Sequence, residues 1–261
     1  MALGKLADPD VRRELIAELL CDPNLQAVNR DLDCFELFAG VGSVAKAAAE
    51  MGHKAATFDK ATNKLHDICT NDGFDRAVRF VMQIKEGGLL WAAPVCSSWV
   101  WMNSCKCKRS RRDGFIGDLT YAPVQVGNSM ANATVFLMDL AHQRGVRVAL
   151  ENPTGSKIFK YKPLVELRAN LGMHTVTTHR CAFDDAAKGK RMLKPYKVLA
   201  AGLFLVWTSL LFHGDSSRQT DCRMHVCKKT MQFVHCIEVL FVRRLLQNDL
   251  LYQQFDFREA G

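Results

Sequence analysis

Residues 33–51 read DCFELF-AGVGS-VAKAAAEM, and the order of these three pieces decides the fold. Residues 33–38 are a short apolar segment of strand length. Residues 39–43 are a turn in which Gly40 and Gly42 permit a tight bend and close approach to a ligand. Residues 44–51 are alanine-rich and helix-forming. Strand, glycine turn and helix, in that order, set backbone N–H groups and a helix N-terminus beside a nucleotide-like ligand. A bare G-x-G says little; its place between a strand and a helix says more.

Downstream, residues 53–59 (HKAATFD) form a second strand ending in Asp59. It lies about 20 residues past the glycine turn, where a Rossmann-like sheet carries a carboxylate that accepts hydrogen bonds from ribose hydroxyls. The plainer alternative is a surface acid at a strand end. Residues 65–69 (LHDIC) read as a brief strand-like stretch with a further acid, Asp67. A helix is expected over 74–84, with Phe74, Ala77, Val78, Val81 and Met82 facing inward and Gly87-Gly88 stopping it. The apolar run 89–93 is a third strand, ended by Pro94, which delivers Cys96 into a serine-rich turn. Open α/β sheets place reactive groups just past the carboxyl ends of their strands, so Cys96 is a candidate nucleophile. Against that stands the common buried, inert cysteine.

A long helix over 124–143 leads to a strand over 145–150, which ends in Glu151-Asn152-Pro153. A carboxylate at a second strand end repeats the geometry argued for Cys96, and both would face one crevice. A helix over 163–170 and a strand over 173–178 follow. At the other end, residues 8–20 form an opening helix that Asp8 or Asp10 can cap, with Val11, Leu15, Ile16 and Leu19 on one face and no evident chemistry. The succession gives an α/β fold: a mostly parallel sheet with helices on both faces. It divides into a helical extension (1–30), a Rossmann-like core (31–200) and a divergent C-terminal segment (201–261) that could serve as a reduced target-recognition or capping region.

The 261 residues are 48% hydrophobic and 24% charged, which is ordinary for a globular chain. No secretory pattern opens the sequence, so its ten cysteines are expected to be reduced thiols in an intracellular protein, with nuclear or organellar placement left open. The uncharged run 198–212 is shorter than the roughly 20 residues of a spanning helix and is read as core. A formal charge of +8 and a pI near 9.0 favour an anionic partner, nucleic acid first; a solvated basic face is the alternative.

Much of that charge is concentrated in CKCKRSRR, residues 105–112, where Lys106, Lys108, Arg109, Arg111 and Arg112 occur without an acid. Such a run is expected to stay out of a core. It reads either as a solvated loop or import signal, or as a mobile loop that binds phosphates and closes over the site, helped by Trp99, Trp101 and Met102. Cys105 and Cys107 are too few for a zinc site, and the spacings of Cys222, His225, Cys227, His235 and Cys236 match no familiar finger, so no metal is assigned.

FELFAGVGS (residues 35–43) resembles the cofactor motif of DNA cytosine-5 methyltransferases, an acid followed by LFAGxGG. Asp59 falls where that family has its ribose-binding acid. Asp67-Ile68 looks like its acid–Ile pair beside the cofactor adenine, Pro94-Val95-Cys96-Ser97 like its Pro-Pro-Cys-Gln nucleophile motif, and Glu151-Asn152-Pro153 like its Glu-Asn-Val motif. The motifs occur in the family's order over residues 33–155. The resemblance implies a Rossmann-like fold with S-adenosylmethionine as methyl donor, held by Phe38, Ala39, Gly40, Gly42, Ser43, Asp59, Asp67, Ile68 and Pro94. Cys96 would be the nucleophile and Glu151 its partner on the base. Departures are Ser43 for the second glycine, Val95 for the second proline and Ser97 for glutamine. The Gln-x-Arg-x-Arg signature is not clear, with Arg180, Arg191 and Lys194 as competing stand-ins, and the closing Asn-containing motif is not found. Methylation of RNA cytosine, a non-catalytic descendant and a module that binds nucleic acid through the basic loop alone remain as alternatives.

Overall fold

Alternating pleats sort the strand side chains onto two helical layers. The computed structural model describes residues 3–179 and 195–201. Its strands are β1 (Leu32–Leu37), β2 (Ala55–Phe58), β3 (Ile84–Ala92), β4 (Arg147–Pro153), β5 (His174–His179) and β6 (Pro195–Ala201). The helices are α1 (Pro9–Cys21), α2 (Pro23–Gln26), α3 (Ser43–Glu50), α4 (Asn71–Gln83), α5 (Ser104–Cys107), α6 (Ala122–Gln143) and α7 (Lys162–Asn170). Cys34, Leu89, Trp91, Ala149, Val198 and Ala200 pack on one face against Val44, Ala47 and Ala48 of α3. Phe35, Leu37, Leu90, Ala92, Val148 and Leu150 turn to the other face, where α4 and α6 cover them. Burial on both faces explains why these strands read as continuous apolar runs.

The six-stranded sheet has the order β2-β1-β3-β4-β6-β5. β1 pairs in parallel with β2 and β3, and β3 in parallel with β4. β6 runs antiparallel between β4 and β5. The chain winds from β1 outward to β2, then crosses to the opposite side for β3. That reversal opens a switch point at the carboxyl ends of β1 and β3, where α/β sheets bind ligands. The mostly parallel α/β architecture expected from the sequence is therefore the observed one.

Local departures have physical reasons. Gly87-Gly88 does not separate a helix from a strand but lies inside β3, where the β1–β3 register shifts. Gly87 has φ +76, and a Cβ on Gly88 would sit 2.6 Å from Ile84 Cγ2 and 3.0 Å from the Asp33 carbonyl oxygen, so the bulge needs both glycines. The stretch 65–69 is not a strand. A 3-10 turn, Lys64–His66, leads to Thr70, whose hydroxyl caps α4 by accepting from Gly73 N. Glu151 and Asn152 lie within β4 rather than after it, because β6 continues the ladder past them. Ahead of α1, a 3-10 segment, Leu3–Ala7, packs on α6; the side chain of Asn132 on α6 donates to Leu3 O at 3.2 Å. Among the described residues no helix is long and apolar enough to cross a membrane. The expected terminal helix, the Cys/His cluster at 222–236, most of the run 198–212 and the three arginine-signature stand-ins lie outside the described residues.

Gly73 is where this packing is tightest, since a Cβ there would stand 1.9 Å from the Asp67 carbonyl oxygen. Gly73→Ala is expected to destabilise by about 1–3 kcal/mol, the usual cost of overpacking. Gly155→Ala, where a Cβ meets nothing within 4 Å, should change little. Urea unfolding of both variants checks this: equal midpoints would mean that the α4 start is not held against Asp67.

Candidate active site

Four parallel strands end on one edge of the sheet, and hydrogen bonds tie their ends together. Phe38 N and Ala39 N, just past β1, donate to Phe58 O at the end of β2 at 2.8 and 3.3 Å. Ala93 N, just past β3, donates to Leu37 O at 3.1 Å. The Asn152 side-chain amide on β4 donates to Pro94 O at 2.7 Å. The turns bearing Gly40, Asp59 and Cys96 and the β4 segment bearing Glu151 are thereby tied together along the same edge of the sheet.

The glycine turn is sharply wound, with positive φ at Phe38 (61°), Gly40 (53°) and Gly42 (70°). Phe38 is the costly member, because a side chain rarely adopts that region. A Cβ at Gly40 would meet nothing within 4 Å, so the turn faces open space. Gly40 N donates to Asp59 Oδ2 at 2.9 Å, and Ala61 N to Asp59 Oδ1 at 2.7 Å. Asp59 therefore stands beside the turn, with lone pairs left on both oxygens. Next to it lies a depression of about 280 Å³ lined by Gly40, Val41, Gly42, Ala45, Lys46, Ala49, Thr57 and Thr62. Asp67 accepts from Cys69 N at 3.0 Å and faces Lys60 at 3.7 Å, and Ile68 is buried. Ser43, in the place of a glycine, is buried, and its hydroxyl has no hydrogen-bond partner among the described residues.

Under the turn lies a residue to which the sequence reading gave no role of its own. Glu36, on the α3 face of β1, is buried, and its Oε2 accepts from Ala45 N at 2.8 Å. A second backbone bond, from Val44, also favours its charged form. Desolvation outweighs both bonds and pushes the carboxyl up to about 7. Glu36 thus fills the N-terminal end of α3, which the sequence reading had offered to a ligand. A charged residue amid the apolar DCFELF run was the visible signal.

Cys96 is half-buried, between buried Pro94 and exposed Val95 and Ser97. Its carbonyl oxygen accepts from Trp99 N at 2.8 Å and Val100 N at 3.1 Å, which closes the turn. Glu151 is 8% exposed and lies one pleat beyond Ala149, on the face that also carries Glu36. Lys157, after β4, braces the turn from the other side. Its N–H donates to Trp99 O at 2.8 Å, and its ammonium to Ser104 Oγ and Arg109 O, both at 3.0 Å.

The basic run is only partly a solvated loop. Arg109 was expected outside the core with its neighbours, but it is 3% exposed. Its guanidinium carbon lies 3.4 Å from the Trp99 ring centre. It donates to the carbonyl oxygens of Ser98, Phe115, Ile116 and Val124, to Ser98 Oγ and to Asn128 Oδ1. Desolvation lowers its pKa to about 10, so it stays charged at neutral pH. Close passage of α6 over Ser98 requires Gly127, where a Cβ would stand 2.2 Å from Ser98 Oγ. Lys108 is exposed and donates to Asp118 at 2.7 Å. Lys106, Arg111 and Arg112 are exposed. Asp113 folds the loop on itself, accepting from Ser110, Phe115 and Gly117 N–H groups. Cys107 is buried and Cys105 exposed.

No family model matches this chain. No curated protein matches it either. Among solved structures it is similar to the crystal structure of S. pombe Dnmt2 methyltransferase, with 14% identity over 65% of this chain and a TM-score of 0.37. The chain spans about half of that structure, 49% of its length. At that score the likeness bears no weight, and the fold rests on the sheet described above.

The site makes a pH prediction. Glu36 is protonated in the fold up to about pH 7, whereas the unfolded carboxyl ionises near its ordinary value. Between about pH 4.5 and about pH 7 the native state therefore binds more protons, and stability falls as pH rises. Glu36→Gln keeps an acceptor for Ala45 N and removes the titration. Across that window wild type should lose more stability than Glu36→Gln, on the order of 3 kcal/mol. Urea midpoints at each pH measure it; parallel profiles would show that Glu36 is already ionised in the fold.

Proposed function

We propose that this protein is an S-adenosylmethionine-dependent methyltransferase acting on carbon 5 of cytosine in DNA through a covalent bond to Cys96. The observation that carries the reading is the Asn152-to-Pro94 hydrogen bond, which holds the Cys96 turn against the strand bearing Glu151. In this reading Cys96 would be the nucleophile and Glu151, on the neighbouring strand, its partner on the base.

The cofactor end of the crevice fits a nucleoside without phosphates. A dinucleotide would set its pyrophosphate on the N–H groups at the start of α3. The Glu36 carboxyl already accepts from the Val44 and Ala45 N–H groups there. What the turn presents instead is an open backbone at Gly40 and the Asp59 carboxylate, suited to ribose hydroxyls. Phe38, Ala39, Gly42 and Ser43 would shape that end, with Asp67 and Ile68 toward the base and Pro94 at the crevice floor. When bound there, S-adenosylmethionine supplies an electrophilic methyl group for carbon 5.

The remaining work falls to the chain. Carbon 5 of cytosine is a weak nucleophile, and covalent catalysis is the remedy. The Cys96 thiolate adds to carbon 6, forming a C–S bond and moving the ring electrons toward carbon 5 and N3. Glu151 holds N3 and the exocyclic amine, which favours that charge shift. Once carbon 5 is methylated, its proton leaves to a base, the electrons reform the 5,6 double bond and the Cys96 sulfur departs. The target base must leave the stack to reach Cys96.

Cys96→Ser is expected to abolish labelled methyl transfer to cytosine-containing DNA while cofactor binding by calorimetry is unchanged. Asp59→Ala should weaken cofactor binding roughly tenfold or more, the scale of a charge-assisted hydrogen bond. Turnover by Cys96→Ser would remove the nucleophile assignment. Transfer to RNA but not DNA would move the substrate. Cofactor binding with transfer to neither would mark a non-catalytic descendant.

A further inference from the structure

We infer that an unpaired nucleic-acid strand lies along a basic ridge made by two separate chain segments, the 104–118 loop and residues 157–162, with Trp101 as its stacking platform. This rests on the proposed function and adds to it the strandedness of the partner and the surface that holds it.

Three observations carry the inference. The first is that the two segments form one surface. Lys157 donates to Ser104 and to the Arg109 carbonyl. Lys160 Nζ lies 5.8 Å from the Phe115 ring centre, and a Cβ on Gly114 would sit 3.8 Å from Lys162 Cβ. The second is the charge left over on that surface. Lys106, Arg111, Arg112 and Lys160 are exposed and have no acidic partner among the described residues. The nearby acids are spent locally: Asp113 on its own loop's N–H groups, Asp118 on Lys108, and Glu166 at 3.7 Å from Lys162. A row of unpaired cations on a braced backbone suits a phosphate chain.

The third observation is Trp101, which is 76% exposed beside Met102 at 73%. Its backbone is not free. Trp99 N and Val100 N donate to Cys96 O, and the Asn103 amide donates to Ser97 O at 2.6 Å. A fixed backbone carrying a free indole, next to the Cys96 turn, is a platform on which a base can stack. Stacking needs an exposed base face, which the interior of a duplex does not offer. A membrane surface fits less well, because the exposed apolar side chains over residues 101–118, Trp101, Met102 and Ile116, are outnumbered by the exposed cations of the ridge, whereas interfacial binding requires a broad apolar face.

The test is fluorescence anisotropy with the full chain and three probes: oligothymidylate of about 20 nucleotides, the matching duplex, and phosphatidylserine-containing vesicles. Oligothymidylate contains no cytosine, so its binding is independent of whether Cys96 is a nucleophile. The inference expects oligothymidylate to bind more tightly than duplex. Lys106→Ala/Lys160→Ala, one unpaired cation from each segment, should weaken it and reduce the slope of log K against log salt by about 1.4, two phosphate contacts at about 0.7 each. Trp101→Ala should weaken it about tenfold with the slope unchanged, as expected for a lost stack. Matching thermal melts confirm that the variants fold. Equal or tighter duplex binding, vesicle binding without oligothymidylate binding, or an unchanged salt slope in the lysine variant would each overturn it.

Discussion

A buried guanidinium with no carboxylate partner among the described residues ties together the strand-end edge that carries Cys96. Arg109 stacks on Trp99, and carbonyls, a hydroxyl and an amide oxygen replace the water it has lost. Guanidinium is weakly hydrated and presents a planar fork of donors, so it tolerates such a place where an ammonium would not. The acceptors lie on three different parts of this edge. Ser98 belongs to the Cys96 turn, Phe115 and Ile116 to the basic loop, and Val124 and Asn128 to α6. Removing the fork would leave a set of buried acceptors unpaired at once, which is costlier than the loss of any single bond. The Cys96 turn is therefore anchored, through Ser98, by a residue that belongs to no strand end.

Glu36 plays the corresponding part beneath the glycine turn. A helix N-terminus attracts anions, and this one is occupied by the chain's own carboxyl. The Val44 and Ala45 N–H groups are consequently not free to hold a ligand phosphate, as they would be in a dinucleotide fold. That distinction bears on ligand class without any reference to relatives, and it agrees with a cationic, phosphate-free cofactor.

Periodicity and turn chemistry made most of the sheet legible. Runs such as FELF and LLWAA have strand length and no helical period, and the places of Asp59 and Cys96 just past β2 and β3 follow from where the runs stop. What was not legible depended on tertiary partners. Gly87-Gly88 reads locally as a helix stop, and only its fit against Ile84 and Asp33 shows it to be a strand bulge. Glu151 reads as lying past a strand end, because β6, which extends the ladder, comes much later in the chain. Arg109 reads as one more solvated cation, since nothing in CKCKRSRR distinguishes the residue that Trp99 and α6 will enclose. The Asn152–Pro94 bond was likewise invisible, although both residues sit in motifs already singled out.

The proposed covalent step is the hinge between fold and function. A cytosine analogue with fluorine at carbon 5 cannot release a proton there, so a thiol that has added to carbon 6 stays attached. Incubating the protein with S-adenosylmethionine and a 5-fluorocytosine oligonucleotide, then digesting it and mapping the adduct by mass spectrometry, reads the nucleophile directly. The structure leads us to expect one adduct, on the peptide containing Cys96. An adduct on another cysteine, or none while a cytosine oligonucleotide is methylated, would show that carbon 5 is not activated by Cys96.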